Sequence, residues 1–206
     1  MGGREDVAAF LAISREVFAP LYPYYADAFL RQSGIRHGLC LDLGCGGGQL
    51  GLAVAAASAC FAVLLDQSPA MLQAAAQAVA EQGLAVRAMP LAADVHALPF
   101  PSGSVDLAVS RGSIMFWKDL PRAFAEIRRV LSPGGRAYLG GGLGPLAIRE
   151  AICRQMASRD PRWAQGVPPP RPGTEPETHA RQLRAAGIEH FTITREDAGH
   201  WIAFGK

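Results

Sequence analysis

The chain of 206 residues carries 20 Lys and Arg against 18 Asp and Glu, a net charge of +2, and half of its residues are apolar. That length supports one domain with a self-sufficient core. The near-neutral balance, with no dense Lys/Arg run, argues against a nucleic-acid partner by charge. The longest apolar stretch, Leu50 to Leu65, is interrupted by Gly51 and Ser58 and is too short to cross a bilayer, so no membrane insertion is expected. Arg4, Glu5 and Asp6 precede any apolar run, unlike a secretory signal, and the expected location is cytoplasmic. Cys40, Cys45, Cys60 and Cys153 form no CxxC pair, so neither a metal nor a redox site is expected.

Two helices open the chain. Val7 to Phe18 has helical apolar spacing and stops at Pro20; Pro23 suits the first turn of a second helix that runs to Ser33 and stops at Gly34. Strands and helices then alternate. Gly38–Leu43 reads as a strand, Gln49–Ala57 as a helix, Cys60–Leu65 as a strand and Pro69–Gln82 as a helix with Ser68 as N-cap and Gly83 as stop. Ala85–Pro90 is a weaker third strand, Val105–Ser110 a fourth, Leu120–Leu131 a helix and Arg136–Gly140 a fifth strand. This rhythm predicts a mostly parallel sheet with helices on both faces. Leu146–Arg159 and Glu177–Ala186 read as helices around a proline-rich loop containing Pro168-Pro169-Pro170. His190–Thr194 and His200–Phe204 close the chain as a hairpin, so the last strand runs antiparallel to its neighbour.

The chemistry concentrates after the first strand. Five glycines fall in the eight positions Gly44 to Gly51, more than a tight turn requires, and a strand–glycine loop–helix unit brings ligand against bare backbone. Gly46, Gly48 and Gly51 also satisfy the dinucleotide pattern GxGxxG, with Asp66 where a ribose-binding acid would sit. A nicotinamide oxidoreductase is therefore a competing reading at this point. Asp42, at the end of the strand that precedes the glycines, weighs against it: a carboxylate there repels a pyrophosphate and suits an ammonium group.

The series LDLGCGGG (41–48), LLDQSPAML (64–72), ADVHALPFPSGSVDLAVS (93–110) and RVLSPGG (129–135) resembles class I S-adenosylmethionine (SAM)-dependent methyltransferases of the small-molecule type, close to those of quinone biosynthesis. SRGSIMFWKDL (110–120) followed by GGGLG (140–144) is further similar to a small prokaryotic subgroup. The resemblance implies an α/β, Rossmann-like fold with a seven-stranded sheet in the order 3-2-1-4-5-7-6. It also implies SAM as methyl donor and S-adenosylhomocysteine (SAH) as product. Residues 1–34 would form a helical cap, 38–141 the SAM-binding core, 143–187 a helical and proline-rich insertion and 188–206 the closing hairpin.

By the same resemblance, Gly44, Gly46 and Gly48 would lie under the methionine part of SAM, with Cys45 between them and Asp42 helping to hold the amino group. Asp66 would accept both ribose hydroxyls. Asp94 would accept from the adenine amino group beside Val95, while Gln67 and Met71 line the nucleoside and Ser110 closes the cofactor set.

The acceptor would sit beyond the end of the fourth strand. That end lacks the Asn/Asp-Pro-Pro-Tyr/Phe motif of enzymes acting on exocyclic amines. Arg111 and Ser113 offer polar groups, Phe116 and Trp117 an apolar wall, Tyr22 and Tyr25 a lid, and Gly141 a close backbone approach. Arg111 is open to two readings, pairing with an anionic substrate or with a structural acid such as Asp106. His96 is the nearest candidate base, but no residue demands a catalytic role. A SAM-binding sensor without catalysis is the second functional class that these motifs allow.

Overall fold

The computed structural model describes residues 4–165, 167, 174–196 and 199–206. Helix α1 (Arg4–Glu16) and helix α2 (Leu21–Ser33) precede strand β1 (His37–Leu43), α3 (Gln49–Ala57), β2 (Ala59–Asp66), α4 (Pro69–Glu81) and β3 (Ala88–Ala92). Strand β4 (Val105–Arg111), α5 (Leu120–Val130), β5 (Leu131–Gly141), α6 (Leu146–Ala157), α7 (Pro176–Ala185), β6 (Phe191–Glu196) and β7 (Gly199–Gly205) complete it. The sheet order is β3-β2-β1-β4-β5-β7-β6. Strand β7 runs antiparallel to both β5 and β6, as expected from the short final link. The triple proline at 168–170 lies outside the described residues.

Local chemistry explains the boundaries. Gly34 terminates α2 in the left-handed region, its N–H bonded to Leu30 O. Ser68 caps α4 by accepting from Met71 N, with Pro69 at the first helical position. Asp119 does the same for α5, which buries Ala123, Phe124, Ile127 and Val130 along one stripe. Each large side chain on that stripe contributes roughly 1.5–3 kcal/mol by leaving water.

Side chains alternate across the sheet. Leu41, Leu43, Val63, Leu65, Ala108 and Leu139 face a core shared with α5 and α7. Cys40, Leu107, Val109 and Tyr138 face the other core, closed by α2, α3 and α6. Helices thus cover both faces.

Two strands start three or more residues from where the sequence places them. Strand β3 begins at Ala88 rather than Ala85, because 84–87 forms a turn in which Arg87 N and Ala88 N both bond to Leu84 O. The Arg87 guanidinium then reaches the carbonyls of Ala55 and Cys60 and ties down the α3–β2 corner. Strand β5 starts at Leu131 rather than Arg136: Leu131 pairs with Val105, the chain bulges over 132–135, and pairing resumes at Arg136 with Leu107.

Candidate active site

A cavity of about 1000 Å³ opens at the carboxyl ends of β1, β2, β4 and β5, where ligands bind in open α/β sheets. Its floor is the loop after β1. Gly44 and Gly46 have φ of 67° and 53°, backbone that non-glycine residues avoid. A Cβ on Gly44 would lie 2.6 Å from Ser113 Oγ, and one on Gly46 would lie 3.3 Å from the Phe10 ring. The floor here is bare backbone, held close against the cavity-lining residues Ser113 and Phe10.

Two carboxylates fix this loop. Asp66, at the end of β2, accepts from Gly46 N through Oδ2 and from Ser68 N through Oδ1, each at 2.9 Å. A carboxylate offers about four acceptor positions, so each oxygen keeps one for a ligand. Asp42 is buried, and its Oδ2 accepts from Gly51 N at 2.8 Å. Burial pushes its pKa up to about 7, opposed by the Gly51 N–H and reinforced by the Asp66 charge. Cys45 lines the cavity beside them as a neutral thiol, its pKa raised by burial and by both carboxylates.

The third acid, Asp94, is exposed and accepts from both His96 N (2.9 Å) and His96 Nδ1 (2.5 Å) through one oxygen, Oδ1. Its pKa is lowered chiefly by the His96 backbone N–H. His96 Nε2 accepts from Asp119 N at 3.2 Å, so the ring is the Nδ1–H tautomer with both nitrogens engaged. His96 is thereby corrected from candidate base to a brace for Asp94. The following loop is pinned to α5: Glu126 accepts from Leu98 N, and Arg129 donates to Leu98 O and Phe100 O.

Of the sequence-selected residues, Asp42, Gly44, Cys45, Gly46, Asp66, Gln67, Met71, Asp94 and Val95 line the cavity, as do Tyr22, Arg111, Ser113, Phe116, Trp117 and Gly141. Three do not reach it. Gly48 sits behind the loop at the α3 N-cap, where a Cβ would press on Leu64 and Ala75, so its role is packing. Ser110 is fully buried, because its side chain turns from the cavity to bond Ser113 Oγ at 2.5 Å. Since Ser113 Oγ gives its proton to Leu43 O, Ser110 is the donor of that bond, and the pair clips the end of β4 to the end of β1. Tyr25 is core: its hydroxyl accepts from Gly144 N at 3.0 Å and its ring packs on Phe29 and Trp201.

The other half of the cavity is aromatic and cationic. Phe18, Tyr22, Phe116, Trp117 and Trp163 supply rings; Arg111, Arg149, Arg195 and Lys118 supply charge. Asp106 does not pair with Arg111. It lies at the opposite end of β4, accepting from Leu39 N and Ser132 Oγ. The glycines at the end of β5 serve strand contact: a Cβ on Gly140 would strike His200 O, and Gly199 packs on Gly141 and Gly142.

Sequence reasoning missed a histidine pair. His179 Nδ1 and His200 Nε2 are 2.8 Å apart on the cavity wall. Burial lowers both pKa values, that of His179 to about 4, so the pair is neutral at pH 7. The two residues are 21 positions apart, on α7 and β7, and no local pattern announces their meeting.

The cradle fits SAM on the chain's own geometry: bare backbone under the ligand, a buried carboxylate for an ammonium group, and Asp66 with open acceptor positions. The reversed β7 also departs from the parallel dinucleotide-binding order.

Comparisons with known proteins agree. Residues 41–139 match a family model described as a methyltransferase domain. The chain is 43% identical over 82 residues to 2-methyl-6-phytyl-1,4-hydroquinone methyltransferase 1 of Oryza sativa subsp. japonica, covering 40% of this chain and 24% of that protein. It is 36% identical over 121 residues to a malonyl-acyl-carrier-protein O-methyltransferase of Methylovorus sp., covering 56% and 40%. A crystal structure described as an S-adenosyl-L-methionine-dependent methyltransferase, from Methanococcus maripaludis, superposes with a TM-score of 0.87 at 34% identity, covering 98% of this chain and 92% of that one. The chain spans about a quarter of the length of the rice relative. No helix among the described residues is long and apolar enough to cross a membrane. On fold, motif order and these likenesses together, the chain belongs to the class I SAM-dependent methyltransferases.

Proposed function

We propose that the chain transfers a methyl group from SAM to a small-molecule acceptor. The observation that carries this is the division of one cavity into two chemically distinct halves. The glycine loop with Asp42, Asp66 and Asp94 forms a donor half, and the aromatic and cationic wall beyond β4 forms an acceptor half. When bound, SAM supplies an electrophilic methyl group on a sulfonium. Asp66 holds the ribose, Asp94 Oδ2 the adenine amino group, and Asp42 the ammonium end, with Gln67, Met71 and Val95 against the nucleoside.

Val7, Phe10, Ser14, Phe18 and Tyr22 carry the wall over the loop, so helices α1 and α2 act as a cap that excludes water. Alignment and desolvation are what transfer to a bound nucleophile chiefly requires. The neutral His179–His200 pair offers hydrogen bonding to the acceptor without adding charge. Four free cysteines favour a reducing compartment, in keeping with a cytoplasmic setting. Incubation with tritium-labelled methyl-SAM and a panel of small organic acceptors should give labelled small molecules. Label found only on protein or nucleic acid would contradict the reading.

Asp42 gives this proposal a pH signature. In the folded chain it holds its proton up to about pH 7, whereas an unfolded aspartate releases it near 3.9. Its contribution to stability is therefore present at low pH and lost as pH rises through 7. An ammonium group placed beside it favours the carboxylate, so SAH binding should release protons. At pH 6.5 the ligand amine is already charged. Calorimetric binding enthalpies in phosphate and Tris should then differ for wild type and coincide for Asp42→Asn. Equal enthalpies for wild type in both buffers would refute the assignment.

A further inference from the structure

We propose that the acceptor is an organic anion, a carboxylate or phosphate, held by the Arg111 guanidinium in the cavity half beyond β4. The inference rests on the methyl-transfer reading for what the bound anion is for, but the anion site stands on its own geometry. Arg111 lines the cavity and makes one hydrogen bond among the described residues, Nη2 to Gly142 O at 3.0 Å. Its Nε is buried without an acceptor among the described residues, a donor that costs free energy until it is used.

No carboxylate forms an ion pair with Arg111 among the described residues, and Asp106 is committed elsewhere. Instead the guanidinium carbon lies 5.0 Å from the centre of the Phe18 ring and 5.6 Å from that of Tyr22. Burial raises the Tyr22 phenol above its usual pKa, so it remains neutral and supplies no counter-charge. Burial also lowers the Arg111 pKa, yet a guanidinium keeps its proton in proteins. A partly buried cation that lines a cavity and lies over two rings is a preorganised fork for a planar carboxylate or a phosphate.

The wider charge pattern agrees. Among the described residues, the acids that line the cavity, Asp42, Asp66 and Asp94, all belong to the donor half, at the ends of β1 and β2 and just after β3. Beyond β4 the charged lining groups among the described residues are Arg111, Arg149, Arg195 and Lys118, with the histidine pair neutral. An anionic acceptor would complement this wall, with its apolar body against Tyr22, Phe116 and Trp117.

The test is calorimetric titration of benzoate, phenyl phosphate and neutral benzamide, at fixed ionic strength, with and without saturating SAH. Wild type should bind at least one anion, and bind it at least tenfold more tightly than benzamide. Arg111→Gln should lose that anion affinity tenfold or more, about 1.4 kcal/mol, and Arg111→Lys should restore part of it. Retained SAH binding certifies the fold of each variant; if Arg111→Gln fails to fold, the wild-type preference and Arg111→Lys decide. Benzamide binding as well as both anions, or Arg111→Gln binding benzoate like wild type, would overturn the proposal. Arg111-dependent anion selectivity in a protein that ignores SAH would sink the methyl-transfer reading and leave the anion site standing.

Discussion

Asp66→Ala should weaken SAM binding by roughly 30- to 150-fold, the equivalent of ~2–3 kcal/mol. Two effects add. The side chain takes Gly46 N and Ser68 N on its two oxygens, so its removal leaves two loop donors unmet. It also removes the charged acceptor for the ribose hydroxyls, and hydrogen bonds to ionised groups are the stronger kind. Asp66→Asn separates the effects. One amide oxygen can still accept, so loop order should be partly kept while ribose binding is lost. Calorimetry of SAM binding and thermal unfolding of the unliganded chain read the two in turn. Unchanged affinity in Asp66→Ala would refute the ribose assignment.

Gly44→Ala should abolish measurable SAM binding and lower stability by about 2–5 kcal/mol, the sum of overpacking and left-handed strain on a non-glycine residue. The new Cβ would meet Ser113, whose hydroxyl holds Leu43 O and receives Ser110. The clash therefore falls on the clip joining β1 to β4, and the loop cannot yield without moving the cavity floor. Gly83→Ala is the control: Gly83 has φ of 65° but open space around its Cβ position, so only strain applies. A Gly44→Ala protein with wild-type melting temperature and SAM affinity would mean that the loop is far more plastic than its contacts indicate.

The sequence carried the frame of this site because its signals are local. Ser68, Gly34 and Gly83 mark helix ends by chemistry confined to a few residues, and Asp42, Asp66 and Asp94 each lie within two residues of the end of a strand. Strand β3 was displaced in the reading because Ala85 and Val86 are apolar, yet Val86 is 84% exposed on a turn closed by Leu84 O. Side-chain direction at the strand ends was the harder problem. Ser110 and Arg111 are neighbours, and only packing decides that the serine clips β4 to β1 while the arginine enters the cavity. Tyr22 and Tyr25 divide likewise, since one helical turn separates the cavity wall from the aromatic core around Trp201. The histidine pair lay beyond any local signal, because it forms only when α7 docks beside β7.

The donor is the centre of the account, and competition between ligands tests it most directly. Calorimetric titration of the purified chain with SAH and, separately, with NAD should give stoichiometric binding of SAH, lost in Asp66→Ala, and no heat of binding for NAD. Binding of NAD with no response to SAH would contradict the account at its root.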